Sequence, residues 1–186
     1  MAKTPEKRNL RRNEMIILLE KNPYLTDSEL AKRYKVSINT IRLDRQQLNI
    51  KESKERVKEL AKESSKLLTS ISEDEIIGDL IELIPGVSGK ARLETTKAMT
   101  FKNSNIVRGQ YIYSLAESLA IAVVKANAAL VGIANIKYKE KVEGNNVIIA
   151  NAEVKKVRGQ NYIVWIKTYN NKGSEVFTGK FILKAL

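Results

Sequence analysis

Val36-Ser-Ile-Asn-Thr-Ile-Arg-Leu-Asp-Arg45 reads as a short, capped, basic helix, and that reading decides the N-terminal fold. Ser37 can accept from an amide two or three residues on, while Ile38, Ile41 and Leu48 recur near helical spacing as a core-facing stripe. Ser37 at the cap and Asn39, Thr40, Arg42 and Arg45 on the polar face are left for a partner. Arginine offers two donors to a guanine edge and asparagine a matched pair to adenine, so these residue types suit a major groove. A solvated basic face is the plain alternative.

The preceding segment supplies the rest of the motif. Thr26-Asp-Ser-Glu29 has the spacing of a capping box, and Leu30, Ala31 and Tyr34 give a short apolar face ending in a turn around Lys35. Two short capped helices across a tight turn make a helix-turn-helix. Upstream, Met15, Ile16, Leu18 and Leu19 stripe a first helix that must stop at Asn22-Pro23, because the residue before proline disfavours helical backbone. In the flank Lys7-Arg-Asn-Leu-Arg-Arg12, Arg11 and Arg12 are candidates, with Lys35, to hold phosphates. For the first six residues, a solvated disordered terminus competes with that role.

Composition narrows the chemistry. Thirty-three Lys and Arg against 21 Asp and Glu give a formal charge of +12, spread over both halves of the 186 residues, so a polyanionic partner is expected. Cysteine and histidine are absent, which excludes disulfides, thiol nucleophiles, imidazole bases and the usual zinc and copper sites. No cofactor is expected. The start does not pattern as a signal peptide, and the apolar run Leu115 to Val124 is interrupted by Glu117 and too short to span a bilayer. A cytoplasmic protein without membrane contact is the expectation.

The domain reading is a DNA-binding head over residues 1–50, a linker helix over 51–72 and a second domain over 73–186. In the linker, Val57, Leu60, Ala61, Ser64, Leu67 and Leu68 share one face of a sequence otherwise rich in Lys and Glu, which calls for docking or pairing. Beyond it, strand-like runs occur at Glu75 to Leu83, Ala91 to Met99, Leu130 to Tyr138, Asn146 to Val157, Tyr162 to Tyr169 and Glu175 to Leu183. Gly144-Asn-Asn146 and Asn170-Asn-Lys-Gly173 are turn signals between them. Gly109 to Ala126 reads instead as a helix apolar nearly all round, through Ala116, Leu119, Ala120, Val123 and Val124. Such a helix must be buried, and an antiparallel sheet wrapped round one buried helix is the hotdog architecture, giving an α+β chain.

The order of these parts, with Val36 to Arg45 in the head, an acidic stretch Glu75-Ile-Ile-Gly-Asp-Leu80 after the linker and Ile106-Val-Arg-Gly109 leading into the helix, resembles the FapR family of bacterial repressors of fatty-acid and phospholipid synthesis. The resemblance runs from about Arg11 to the last strand. It implies a homodimeric, non-enzymatic repressor that sits on a double-stranded operator and is released by malonyl-CoA or malonyl-acyl carrier protein. Arg108 matches the family arginine that pairs with the malonyl carboxylate, for which a two-pronged donor at a helix N-terminus is suited. Gly109 matches a glycine that admits the thioester, and Phe101 an aromatic that touches the ligand, although a core role suits Phe101 almost as well.

One position departs from the family. Glu117 stands where the family usually has asparagine. A glycine at a helix start with an acid two turns later is similar to the catalytic pair of hotdog thioesterases, so acyl-CoA hydrolysis through Gly109 and Glu117 is the alternative. A salt bridge between subunits is the mundane account of the same acid.

Overall fold

Met15, Leu30 and Ile41 have no exposed surface and form, with Leu19 and Ala31, a core that three short helices enclose. The structure is a computed structural model that describes residues 5–186. It divides into two compact units, Met1–Glu59 and Leu60–Leu186. In the first, α1 spans Pro5–Lys21, α2 Asp27–Tyr34 and α3 Ile38–Gln47. The α1 end falls just before Asn22-Pro23, as the proline requires. At α2 the Thr26 hydroxyl accepts from the Glu29 amide at 3.2 Å, and the Glu29 carboxylate accepts from the Thr26 amide at 2.8 Å. The helix stops at Lys35, whose left-handed backbone (φ 52°) lets its amide bond back to Ala31 and Lys32. Two residues later Ser37 caps α3, accepting from the Thr40 amide at 3.2 Å. The helix-turn-helix read from the sequence is thus built.

In the second unit, strands β1 (Asp79–Ile84), β2 (Ser88–Glu94), β3 (Ala129–Tyr138), β4 (Val147–Arg158), β5 (Asn161–Asn170) and β6 (Glu175–Ala185) form one antiparallel sheet in the order β1-β2-β4-β5-β6-β3. Helix α5 (Gly109–Ala122) lies against β2 through β6 and buries Ile112, Leu115, Ala116, Leu119 and Ala120. Close approach of helix to sheet needs Gly89, where a Cβ would lie 2.8 Å from the Val123 side chain and 3.0 Å from that of Leu119. This is the hotdog arrangement expected.

Several expectations are corrected. The linker is helical only as α4 (Ser53–Ser65), not to residue 72. The division between units falls within it, at Glu59 and Leu60. Its first turn belongs to the head, where Ser53 donates to Tyr24 O at 2.9 Å and Arg56 to Pro23 O and Leu25 O at 2.7 Å each. Past Leu60 the chain docks on the second unit: Ser64 donates to Ile81 O at 2.9 Å, Ser70 to Ile121 O at 2.7 Å, and Leu68 and Ile71 pack on the core. Continuing the helix would carry those groups off their partners. Leu67, expected on the sticky face, is exposed, as is Ile38 in the head.

The first strand begins at Asp79 instead of Glu75, after a 3-10 turn at Glu73–Glu75 in which the Glu75 carboxylate accepts from the Ser72 amide at 2.9 Å and the Ser72 hydroxyl at 2.5 Å. The second runs Ser88–Glu94 instead of Ala91 to Met99, because the buried Thr95 hydroxyl turns away to Glu143 O and Asn146 O and a 3-10 turn follows at Lys97–Met99. Helix α5 ends at Ala122, short of Ala126, where Val123 O is taken by the Gly86 amide at 2.7 Å. Among the described residues no helix is long and apolar enough to cross a membrane.

Candidate nucleic-acid interface and effector site

On α3 the exposed residues Asn39, Arg42, Leu43 and Gln46 follow one another at i, i+3, i+4 and i+7, so they share a face. The Arg42 side chain is 59% exposed, and its Nε lies 3.8 Å from Asp27, a loose pairing that leaves the guanidinium free to reach outward. Thr40 is half-buried and its hydroxyl is bonded to that of Ser37 at 2.9 Å. Lys35 is exposed at the turn. Leu43 and Gln46 were not singled out from the sequence, although the helical spacing from Asn39 marks them. Gln can pair with adenine as asparagine does, and a leucine offers apolar contact to a thymine methyl.

Three basic candidates are placed otherwise. Arg45 is buried: Nε and Nη2 donate to the two oxygens of Asp27 at 3.0 and 3.1 Å, and Nη1 donates to Ile50 O at 2.9 Å. It binds α3 to the start of α2 and to the exit of the head instead of reading a base. Arg11 is also buried and donates from Nε to Asp44 at 2.7 Å. Arg12 takes the other Asp44 oxygen at 2.7 Å and Gln47 Oε1 at 3.1 Å. The physical reason is Asp44, an acid inside the core edge of α3, which two guanidinium groups from α1 neutralise. Arg11 and Arg12 are therefore helix-packing residues, not a phosphate grip. Of the first six residues, expected to be solvated and disordered or to grip phosphates, 1–4 lie outside the described residues, while Pro5 and Glu6 open α1.

The candidate effector residues gather at the N-terminus of α5. Residues Thr100 and Val107 form a bridge, Phe101 donates its amide to Ile106 O at 2.9 Å, and Arg108 donates its amide to Met99 O at 2.9 Å, so a closed loop delivers the chain to the helix. Phe101 at its end is 55% exposed, which rules out the core role. Arg108 occupies the N-cap position of α5. Its guanidinium donates to the Tyr111 hydroxyl at 2.7 Å and to Ala98 O at 3.2 Å, and lies 5.0 Å from the Tyr111 ring centroid. All of these partners are neutral, and among the described residues no carboxylate pairs with it. A cation beside the free amides of a helix start is an anion-binding arrangement.

Gly109 is held by Tyr138, whose hydroxyl donates to Gly109 O at 3.0 Å. A Cβ on Gly109 would sit 3.0 Å from that tyrosine ring, a tight approach that the half-exposed Tyr138 side chain would have to shift to admit. Glu117 is half-buried and accepts from the Tyr113 hydroxyl at 3.2 Å, not from Arg108 or a lysine. Burial first, and then the Glu117 charge, push the Tyr113 phenol above its ordinary value, and burial does the same at Tyr138. Tyr111, Tyr113 and Tyr138 were missed as site residues, because isolated tyrosines carry no positional signal.

A helix-turn-helix head followed by a hotdog domain defines the class, a transcription factor built on a hotdog scaffold. No protein-family model matches the sequence, but full-length relatives do. A transcription factor FapR of Thermoanaerobacter sp. (strain X514) is 49% identical over 89% of this chain and 82% of that protein. One from Caldanaerobacter subterraneus is 48% identical over 90% and 84%. That of Staphylococcus epidermidis is 38% identical over 94% of each. The chain belongs to the FapR family of transcription factors and is a regulator, not an enzyme. Among solved structures, an uncharacterized protein from Pyrococcus horikoshii matches with a TM-score of 0.56 at 26% identity, over 60% of this chain and 85% of that one. The Escherichia coli PaaI protein of the phenylacetic acid degradation operon matches at 0.54 and 17%, over 58% and 78%. At such identity the second likeness shows the fold alone.

Proposed function

We propose that the chain is a homodimeric repressor of fatty-acid and phospholipid synthesis genes that leaves its double-stranded operator when malonyl-CoA, or malonyl-acyl carrier protein, binds the hotdog domain. The observation that carries the effector reading is Arg108, a cation with only neutral partners at the N-terminus of α5. A malonyl carboxylate would complete it, whereas acetyl-CoA would leave the guanidinium unmatched. The DNA reading rests on the exposed Asn39, Arg42, Leu43 and Gln46 face with Lys35 beside it.

Dimerisation is supported by β3, which stands at the sheet edge with Leu130, Ile133, Ile136 and Tyr138 all at least 40% exposed. An apolar edge strand of this kind is a pairing template, and a second copy is the partner that a symmetric regulator requires. The effector would prefer the released state by several kcal/mol to empty an occupied operator, on the order of 5 kcal/mol for a near-complete switch. The site of action is the cytoplasm, where the promoters and acyl-CoA pools are.

Gel-shift selection of promoter fragments, repeated with malonyl-CoA and acetyl-CoA and paired with a thioester hydrolysis assay, tests the reading. Release by malonyl-CoA alone, without turnover, supports it. Steady hydrolysis with the operator still held overturns it in favour of a thioesterase that uses Glu117.

A further inference from the structure

The face of the sheet opposite α5 has no assigned role. Along β4, β5 and β6 the buried residues Ala150, Ala152, Val164, Ile166, Gly179 and Phe181 alternate with Asn151, Glu153, Trp165, Lys167, Thr178 and Lys180, so the second set stands on the outer face. Register aligns these side chains into two cross-strand rows. One reads Lys90, Asn151, Lys167, Thr178, Lys137, and the next Ser88, Glu153, Trp165, Lys180, Asn135. From β2 to β3 the first row crosses five strands, about 19 Å at ~4.8 Å per strand, without an acid, and it ends on β1 at Glu82, opposite Lys90.

Two shallow grooves, of about 430 and 320 Å³, adjoin along these rows and share Trp165 as a wall. Trp165 is 47% exposed, with the Lys155 ammonium 5.7 Å from its ring. Among the described residues Lys137 and Lys180 have no carboxylate within 4.0 Å, while Lys90, Lys155 and Lys167 lie near Glu82, Glu153 and Glu175, of which Glu153 stands beside Trp165 within the second row. The face thus carries a net positive charge around an aromatic ring, with its unpaired lysines, Lys137 and Lys180, on the β3 and β6 side.

We propose that this face binds a single-stranded nucleic acid, its phosphates on Lys90, Lys167, Lys180 and Lys137 and a base against Trp165. A positive groove that tracks a backbone, interrupted by an aromatic on which a base stacks, is the chemistry of sequence-tolerant single-strand binding. A second copy of this chain is a poor occupant, because the same lysines would face one another in a protein already carrying +12. The inference stands apart from the operator and effector readings, since it uses none of their residues.

Trp165 is the only tryptophan in the chain, so its emission reports on this face directly. Full-length protein is titrated with a short uridine RNA, the matching thymidine DNA, a non-operator duplex and anionic phosphatidylglycerol vesicles. Quenching by either single strand at concentrations where the duplex quenches less than one-tenth as well is the expected result. Affinity of the wild-type protein for the single strand should fall with salt at a slope near −2 to −3, about 0.7 for each lysine engaged. Lys167→Glu with Lys180→Glu should weaken it at least tenfold while operator binding is kept. The wild-type salt titration stands even if that variant does not fold. No quenching by single strands, equal quenching by the duplex, or an emission shift with vesicles alone overturns the proposal.

Discussion

Asp44→Ala should unfold the head selectively. The carboxylate is buried to within 3% of its side-chain surface and neutralises Arg11 and Arg12, whose own side chains are 9% and 17% exposed. Removing one member of a buried ionic cluster leaves uncompensated charge and costs about 3–5 kcal/mol. Arg12 can swing partly into water, so the low end applies, about 3 kcal/mol. A unit ending at Glu59 has a total stability on the order of 3–9 kcal/mol. At roughly 4–8 °C per kcal/mol for so small a domain, its melting transition should fall by about 12–24 °C. Far-UV circular dichroism follows it, as a helix-rich transition moving away from that of the sheet domain. Arg11→Met combined with Asp44→Leu should recover most of the loss, because packed apolar groups replace a buried pair nearly neutrally. An unchanged head transition in Asp44→Ala, together with a shallower salt dependence of operator binding in Arg11→Ala, would refute the packing role and return Arg11 to the phosphates.

Arg42→Ala should weaken operator binding by about 1–3 kcal/mol with much less effect on random DNA, read by competition gel shift; equal loss on both would make it a phosphate contact. Gly89→Val should destabilise the hotdog unit by about 1–3 kcal/mol, because its side chain meets Val123 and Leu119 where even a Cβ stands 2.8 and 3.0 Å away. Denaturant melts check this, and an unshifted midpoint would mean the helix yields freely. Glu117→Asn should keep or improve the response to malonyl-CoA by removing a negative charge from α5, and any loss of a wild-type hydrolytic activity in that variant would favour the enzyme reading.

The helix-turn-helix was legible because capping residues act locally: Thr26, Glu29 and Ser37 fix helix starts through neighbours three residues away. The hotdog was legible because α5 is too apolar to stand anywhere but inside a sheet. Which arginines face out was not legible. Arg42 and Arg45 look alike in sequence, and the difference lies in Asp27, eighteen residues before Arg45, which takes Arg45 bidentately. Likewise Asp44 reads as a solvent acid until α1 places two arginines on it. The strand start at Ser88 was not legible because Gly89 and Lys90 have weak strand propensity and are fixed by pairing with Ala152 and Asn151. At the effector site the arginine and glycine were named in advance; Tyr111, three residues after Arg108, lay within local reach, whereas Tyr138 meets Gly109 from twenty-nine residues later and is set by tertiary packing.

The most direct measurement is operator affinity by fluorescence anisotropy, for wild type and Arg108→Ala, at increasing malonyl-CoA with acetyl-CoA as control. The account predicts that malonyl-CoA releases the wild-type protein and acetyl-CoA does not, and that Arg108→Ala binds the operator normally yet no longer responds, having lost about 2 kcal/mol or more of effector affinity. A variant that malonyl-CoA still releases at the wild-type concentration, or a wild-type protein that holds its operator at saturating malonyl-CoA, would contradict it.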